Sequence, residues 1–300
     1  MSDAIHADVT VRPPNMLSRV ATSLKSAGSK LTHEPLGLAG FIILAILCLI
    51  AIFAPLLAPY DPNVQVLSDA LQPPSLAHLA GTDEFGRDIL SRLIFGTRIT
   101  IQTVLSISVI VGPIGLVIGV VAGFFGGRID ALLMRATDIV LSFPSLILAL
   151  AFAAALGAGL TTAIIAISLT AWPPIARLAR AEALVVRNTD YVAAARLYGA
   201  SRLRILFFYI APMCIPSVIV RLTLNMAGII LTAASLGFLG LGAQPPAPEW
   251  GAMISNGRKY MLDFWWVAVM PGIAILLASL AFNIVGDTLR DILDPRHARS

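Results

Sequence analysis

The sequence is poor in charged residues, and long parts of it contain none. Of its 300 residues only 13% are charged, whereas 57% are apolar. Soluble domains carry about 25% charged residues, so this composition excludes an ordinary soluble enzyme and indicates a membrane protein. The net charge of +4 does not imply a nucleic-acid partner, because lysine and arginine concentrate at the cytoplasmic edges of membrane spans.

Residues with which proteins usually perform chemistry are also scarce. The two cysteines, Cys48 and Cys214, lie in apolar runs without the spacing of a metal or redox site, so we interpret them as packing residues. The four histidines are scattered outside those runs. No glycine-rich loop ends in lysine and serine or threonine, so we expect the chain not to bind ATP. The sequence therefore predicts no metal site, no cofactor and no catalytic residue in this chain.

What the sequence has instead is six long apolar runs. Each is about as long as the roughly 20 residues that a helix needs to cross a bilayer. We therefore predict an all-α membrane protein with six transmembrane helices, the third of them kinked at Pro144. The predicted spans are 36–58, 99–124, 132–156, 161–186, 213–236 and 264–285.

Polar segments flank and separate these spans. Residues 1–35 form a tail that lacks the pattern of a cleavable signal, and residues 288–300 form a second tail. The prolines within residues 237–262 predict a loop without regular structure. Trp265 and Trp266, which follow this loop, are typical of the aromatic belt at a membrane interface.

Residues 59–98 are the longest segment between two spans. Asp83 and Arg87 are spaced to pair along a helix, and so are Asp88 and Arg92. Apolar residues on one side of this pattern predict an interfacial helix that lies on the membrane surface. Asp83, Glu84 and Asp88 would also fit a cation site, but pairing with arginine is the simpler interpretation.

Two further features lie inside the spans. Gly115, Gly119 and Gly123 recur every fourth residue of the second span, so they line one helix face and predict a seam where another helix approaches closely. Arg221 and Asn225 lie inside the fifth span, where a charge must face protein or water. They are candidates for a solute pathway, and the alternative for Arg221 is pairing with a neighbouring helix or subunit.

A short polar break between the fourth and fifth spans, residues 187–208, is the most distinctive part of the sequence. Asp190 is predicted to cap a short helix over residues 191–198. Gly199 follows where that helix would end in a left-handed turn, and Ser201 can cap a second helix. The candidate residues of this elbow are Asp190, Tyr191, Ala193, Ala194, Ala195, Arg196, Gly199, Ala200, Ser201, Arg202 and Pro212.

The elbow resembles the cytoplasmic coupling loop of ABC-transporter permeases. That loop has the pattern Glu-Ala-Ala, three residues, Gly, nine residues, Ile, any residue, Leu-Pro. The residues that match it in register are Ala194, Ala195, Gly199 and Pro212. The residues that differ are Ala193, Tyr209 and Ala211, which replace Glu, Ile and Leu.

Other stretches are similar to one subfamily, the permeases of dipeptide, oligopeptide and nickel importers. Residues 81–96 resemble its signature ahead of the second span, and residues 237–251 resemble its loop ahead of the last span. The residues that close the last span, 286–295, are also similar. The resemblance covers nearly the whole chain and is strongest to the second permease subunit of dipeptide importers.

The resemblance implies a type I ABC importer permease fold, with both termini in the cytoplasm and a core permease domain over residues 99–287. Most lysines and arginines fall on the cytoplasmic side of that topology, in agreement with the positive-inside rule. The implied partners are a second homologous permease, two ATPase subunits that hold ATP and Mg, and a periplasmic or lipid-anchored solute-binding protein. In the bacterial inner membrane this chain would form half of a pathway for di- or oligopeptides and perform no catalysis itself.

The sequence is also compatible with other functions. The same architecture would serve an importer of nickel, glutathione or another small solute. An ion-gradient-driven secondary transporter belongs to a different class and predicts inverted repeats with charged residues near the membrane midplane. The sequence shows no such repeat, and only Arg221 qualifies as a midplane charge. A membrane scaffold without transport would leave the elbow unexplained.

Overall fold

The computed structural model describes residues 35–293, so residues 1–34 and 294–300 of the two predicted tails lie outside the described part. Within that part the regular structure is helical, as predicted. The helices are α1 (Pro35–Leu57), α2 (Ile89–Phe125), α3 (Gly127–Leu141), α4 (Ser145–Leu156), α5 (Leu160–Ala171), α6 (Pro173–Arg187), α7 (Asp190–Leu197), α8 (Arg202–Ile205), α9 (Ala211–Phe238), α10 (Trp250–Gly257) and α11 (Trp266–Leu293).

Five helical segments are long and apolar enough to cross a membrane, and the pair α3 and α4 makes a sixth if it forms one bent span. The prediction of a merely kinked third span is wrong, because α3 and α4 meet at 88°. Pro144 provides no N–H and its ring clashes with the preceding turn. Helix α3 therefore ends at Leu141, and α4 begins directly after the proline.

The centre of the bundle consists of α2, α6, α9 and α11, and α1 lies outside them against α2 and α11. Small residues allow α1 to approach α11, because Gly37 faces Thr288 and Gly40 faces Ile284. Most other side chains of α1 are apolar and exposed. An exposed apolar helix surface is expected where the solvent is lipid.

Helix α2 packs on α6 along the glycines that recur every fourth residue. A Cβ atom added to Gly115, Gly119 or Gly123 would lie closer than 3.0 Å to an atom of α6. At Gly119 such an atom would lie 2.6 Å from the Cβ of Ala179, which is fully buried. The two helix backbones therefore approach each other as closely as the glycine spacing predicts.

The prediction of an interfacial helix within residues 59–98 is wrong. Helix α2 begins at Ile89 and continues without a break into the second span. Asp88 caps it, because its Oδ2 accepts hydrogen bonds from the backbone N (2.7 Å) and the hydroxyl (2.6 Å) of Ser91. Of the apolar residues that favour a surface helix, Ile89 is buried, and Leu90 and Leu93 are partly buried against the core at the start of this long helix.

The charged residues of this segment do not pair along a helix as the sequence predicts. Asp83 contacts Arg87 at 2.7 Å, but across a turn that precedes α2. Arg92 lies 3.6 Å from Asp83 instead of pairing with Asp88, and it donates to the carbonyl of Pro62 (2.8 Å). Of the cation-site candidates, Asp83 therefore pairs with arginine and Asp88 caps a helix.

The loop at residues 237–262 contains a helix, contrary to expectation. Helix α10 follows the prolines directly because Glu249 caps it, accepting hydrogen bonds from the backbone N atoms of Gly251 (2.8 Å) and Ala252 (2.7 Å). Burial raises the pKa of the Glu249 carboxyl, and these two hydrogen bonds oppose the rise.

Two tryptophans anchor the long inter-span segments (residues 58–88 and 239–265), which we call the cap, to the membrane-spanning helices. The indole N–H of Trp250 donates to a backbone carbonyl of α2 (3.2 Å). The indole N–H of Trp266 donates to the carbonyl of Thr82 (3.4 Å). Trp266 is buried, so the prediction that it belongs to an aromatic belt is wrong.

Gly119→Ala tests the close packing of α2 on α6. Alanine stabilises a helix by about 1 kcal/mol relative to glycine, so any loss of stability must come from contacts with α6. We expect the variant to lower the melting temperature of the detergent-purified protein by about 2 °C or more. The measurement is the fraction that remains monodisperse in size-exclusion chromatography after heating.

Gly272→Ala is the matched control for this variant. Gly272 also lies within a long helix, α11, but a Cβ atom there meets nothing within 4 Å. The control should therefore melt at the wild-type temperature or slightly above it. If Gly119→Ala and Gly272→Ala melt together, the seam does not contribute to stability.

Candidate functional site

The elbow begins where α6 ends at Arg187. Helix α7 starts three residues later, at Asp190, and its N-cap is Thr189 instead of the predicted Asp190. Thr189 has the extended backbone of a cap residue, but its hydroxyl donates back to the carbonyl of Val186 (2.8 Å). Asp190 lies in the first turn of α7, where a carboxylate is stabilised by the helix dipole.

Gly199 ends α7 in the left-handed conformation that the sequence predicts, with φ of +79°. The backbone N–H of Gly199 donates to the carbonyl of Arg196 (3.0 Å), and that of Ala200 donates to the carbonyl of Ala195 (3.1 Å). This pair of hydrogen bonds is a Schellman motif. A Cβ atom on Gly199 would meet nothing within 4 Å, so backbone conformation and not space requires glycine here.

The second arm of the elbow begins at Ser201. Its hydroxyl accepts a hydrogen bond from the backbone N of Arg204 (3.3 Å), so it caps α8 as predicted. A π-helical turn, Leu206–Ile210, then connects α8 to α9. Because Pro212 has no N–H, the regular hydrogen-bond ladder is interrupted at this turn. The arm nevertheless continues into the membrane as one helical segment, Arg202–Phe238.

The elbow has a buried face and an exposed face. Val192, Ala195 and Ile205 are buried against the bundle. The opposite face exposes large apolar and aromatic side chains, with Leu197 89% and Tyr198 92% exposed. The exposed surface, which we call the elbow surface, comprises Tyr191, Ala193, Ala194, Arg196, Leu197, Tyr198, Arg202 and Leu203.

Such a surface is typical of a site that binds another protein. Aromatic and apolar side chains flanked by arginine are enriched at protein interfaces, and a contiguous exposed patch of them is unusual on a free surface. Leu197, Tyr198 and Leu203 did not stand out in the sequence. Helical spacing could have indicated that Leu197 and Tyr198 are exposed, because they do not lie on the helix face that carries the buried Val192 and Ala195.

The two pathway candidates lie apart from the elbow, one helical turn from each other on α9. Arg221 is exposed and Asn225 is half-buried in the isolated chain. Within residues 35–293 Arg221 makes no ion pair. A charge inside a span requires water or a polar partner, so this face of α9 is unsuited to contact with lipid.

Family comparisons cover most of the chain. The family described as binding-protein-dependent transport system inner membrane component matches residues 115–299. The N-terminal TM domain of oligopeptide transport permease C matches residues 22–74.

Curated relatives are similar over nearly their full length. The probable D,D-dipeptide transport system permease protein DdpC of Escherichia coli (strain K12) is 48% identical, over 89% of this chain and 89% of its own length. The di/tripeptide transport system permease protein DppC of Pseudomonas aeruginosa (strain UCBPP-PA14) is 46% identical, over 91% and 92%. Among solved structures, a chain of the inward-facing MetNI methionine ABC transporter matches with a TM-score of 0.55 at 19% identity, covering 69% of this chain and 98% of that chain.

The helical bundle and its likeness to MetNI define an ABC importer permease fold. This confirms the fold class expected from the sequence. The chain belongs to the family of binding-protein-dependent transport system inner membrane components. It is accordingly a multi-pass protein of the inner membrane.

Gly199→Val tests the conformational requirement at the elbow. A β-branched residue held at positive φ costs of order 1–3 kcal/mol, and the site offers space for the side chain. We therefore expect the amides of residues 190–205 to exchange with deuterium faster in the variant than in the wild type. The measurement is hydrogen exchange by mass spectrometry of the detergent-purified protein.

Gly199→Asn is the matched control, because asparagine tolerates the left-handed conformation far better than valine. Its exchange in residues 190–205 should stay close to that of the wild type. Equal exchange in the valine and asparagine variants would show that the turn does not depend on backbone conformation.

Proposed function

We propose that this chain is one permease subunit of an ATP-driven importer of di- or oligopeptides, and that the elbow surface docks an ATPase subunit. The observation that carries the proposal is the rigid elbow with its exposed apolar surface. Relatives of nearly 50% identity carry names of D,D-dipeptide and di/tripeptide transport permeases, which supports a peptide solute. The chain supplies half of the pathway and no catalysis.

The proposed assembly has three kinds of partner. A second homologous permease completes the pathway, and two ATPase subunits carry ATP and Mg. A periplasmic or lipid-anchored solute-binding protein docks at the cap. The excess of lysine and arginine at the elbow end supports an orientation with the elbow and both termini in the cytoplasm.

The proposed mechanism is alternating access driven by a lever. The Schellman turn at Gly199 and the cap at Ser201 hold the two arms of the elbow at a fixed angle. When ATP closes the ATPase dimer, the elbow moves as a unit and the attached helices open the pathway outward; hydrolysis reverses the change. Arg221 and Asn225 are proposed to face the water-filled pathway, which satisfies the charge within the membrane.

Tyr198→Asp in the assembled transporter tests the docking role. Tyr198 makes no buried contact within the bundle, so its replacement should not change the membrane level or the melting temperature. Central aromatic residues of an interface contribute about 2 kcal/mol or more, so we expect about a 30-fold weaker association with the ATPase subunits. The measurement is recovery of co-expressed ATPase subunits on the tagged permease, together with peptide uptake.

Leu262→Asp is the control at the opposite end of the molecule. Leu262 lies in the cap and is 99% exposed, so the substitution likewise places a carboxylate at a highly exposed position. It should leave ATPase recovery at the wild-type level. If Tyr198→Asp recovers as much ATPase as Leu262→Asp and transports normally, the elbow surface is not the docking site.

A further inference from the structure

Helix α6 carries a row of arginines that contact its neighbours. Arg177, Arg180 and Arg187 are three and seven residues apart, so they lie on one face of the helix. The Nε and Nη2 atoms of Arg180 lie 2.5 and 2.6 Å from the two carboxylate oxygens of Asp130 on α3. This bidentate arrangement is the strongest and most directional form of an arginine–carboxylate pair.

The last of these arginines fastens the end of α6 to the end of α2. Arg187 Nη1 donates to the carbonyls of Gly123 (2.9 Å) and Phe124 (3.2 Å). Carbonyls in the last turn of a helix have no partner within the helix, and the dipole there favours a positive charge. The end of α6 that leads into the elbow is therefore tied to α2 by Arg187 and to α3 by Arg180.

Apart from these arginine contacts, helix α3 has few contacts that attach it to the rest of the bundle. Of its residues only Thr137 is buried, so apolar packing gives it a weak attachment to the rest of this chain. Asp130 lies in the first turn of α3, shortly after Gly126 and Gly127, which both have positive φ. The Asp130–Arg180 pair is consequently a main connection between α3 and the helix that carries the elbow.

We propose that the Asp130–Arg180 pair is the link through which displacement of the elbow reaches α3 and, across the 88° break, α4. This role rests on the proposed function of the elbow. Arg180 and Asp130 are positioning residues that contact neither ATP nor solute. Without the pair, ATPase subunits still dock and hydrolyse ATP, but α3 and α4 no longer follow the elbow and transport is uncoupled from hydrolysis.

The chain offers a matched control one turn away on the same face of α6. Arg177 lies 2.6 Å from Asp138, also on α3, but the two side chains are 55% and 56% exposed, against 34% and 18% for Arg180 and Asp130. Exposed, single-contact pairs contribute little because water and salt screen them. Removing the Arg177 charge should therefore leave coupling nearly unchanged.

The experiment uses the complete transporter in proteoliposomes with its solute-binding protein and measures peptide taken up per ATP hydrolysed. Coupling free energies between sites usually correspond to a factor of about five or more, so Arg180→Gln should lower this ratio at least about fivefold. Arg180→Lys, which keeps the charge but not the bidentate contact, should lie between. Arg177→Gln should match the wild type.

Charge reversal distinguishes a loss of coupling from a general loss of structure. Arg180→Asp alone should uncouple transport, and combination with Asp130→Arg should restore much of the ratio, although arginine in the first turn of α3 opposes the helix dipole. ATPase recovery on the permease should stay within about twofold of the wild type in every variant, a change that is small beside the expected loss of coupling.

Three results would overturn the link. The link is contradicted if Arg180→Gln keeps the wild-type ratio or if Arg177→Gln lowers it equally. It is also contradicted if Arg180→Gln and Arg180→Lys both lose ATPase recovery in proportion to uptake, because the pair would then be a structural support only. Failure of the wild-type permease itself to recover ATPase would instead contradict the docking function of the elbow.

Discussion

The close approach of α2 to α6 is the constraint on which the rest of the structure depends. Lipid gives two helices no hydrophobic reason to associate, so their attraction comes from dispersion at short range and from polar contacts. Glycines at every fourth position of α2 allow the two helices to approach to that short distance. Because α6 leads directly into the elbow, this packing determines how the elbow is held against the bundle.

The elbow combines a hydrogen-bonded turn with an exposed apolar surface, and the two properties support each other. Hydrogen bonds at Gly199 and Ser201 stabilise the turn without burying Leu197 or Tyr198. A flexible turn would let those side chains fold back against the bundle, as apolar surface tends to do in water. The hydrogen-bonded turn keeps Leu197 and Tyr198 accessible to a partner. A partner bound to this surface can then move the helices attached to the elbow.

Much of this could be predicted from the sequence, because bilayer thickness determines span length and positive φ requires glycine at position 199. The predictions from the sequence were wrong where contacts between residues distant in the sequence determine the structure. Residues 89–94 have the spacing of a surface helix, but they are buried partly by Trp250, whose indole donates to a carbonyl 157 positions away. The pair between Asp130 and Arg180 spans 50 positions, and sequence spacing carries no sign of such contacts.

The most direct test of the account is whether α2 and α6 move as one body during the transport cycle. Spin labels at Val109 on α2 and Val185 on α6, both exposed, report their separation by pulsed electron paramagnetic resonance in the assembled transporter. The account predicts the same distance distribution without nucleotide and with ATP, while the distance from residue 185 to a label on the second permease changes. A nucleotide-dependent shift between residues 109 and 185 would contradict it.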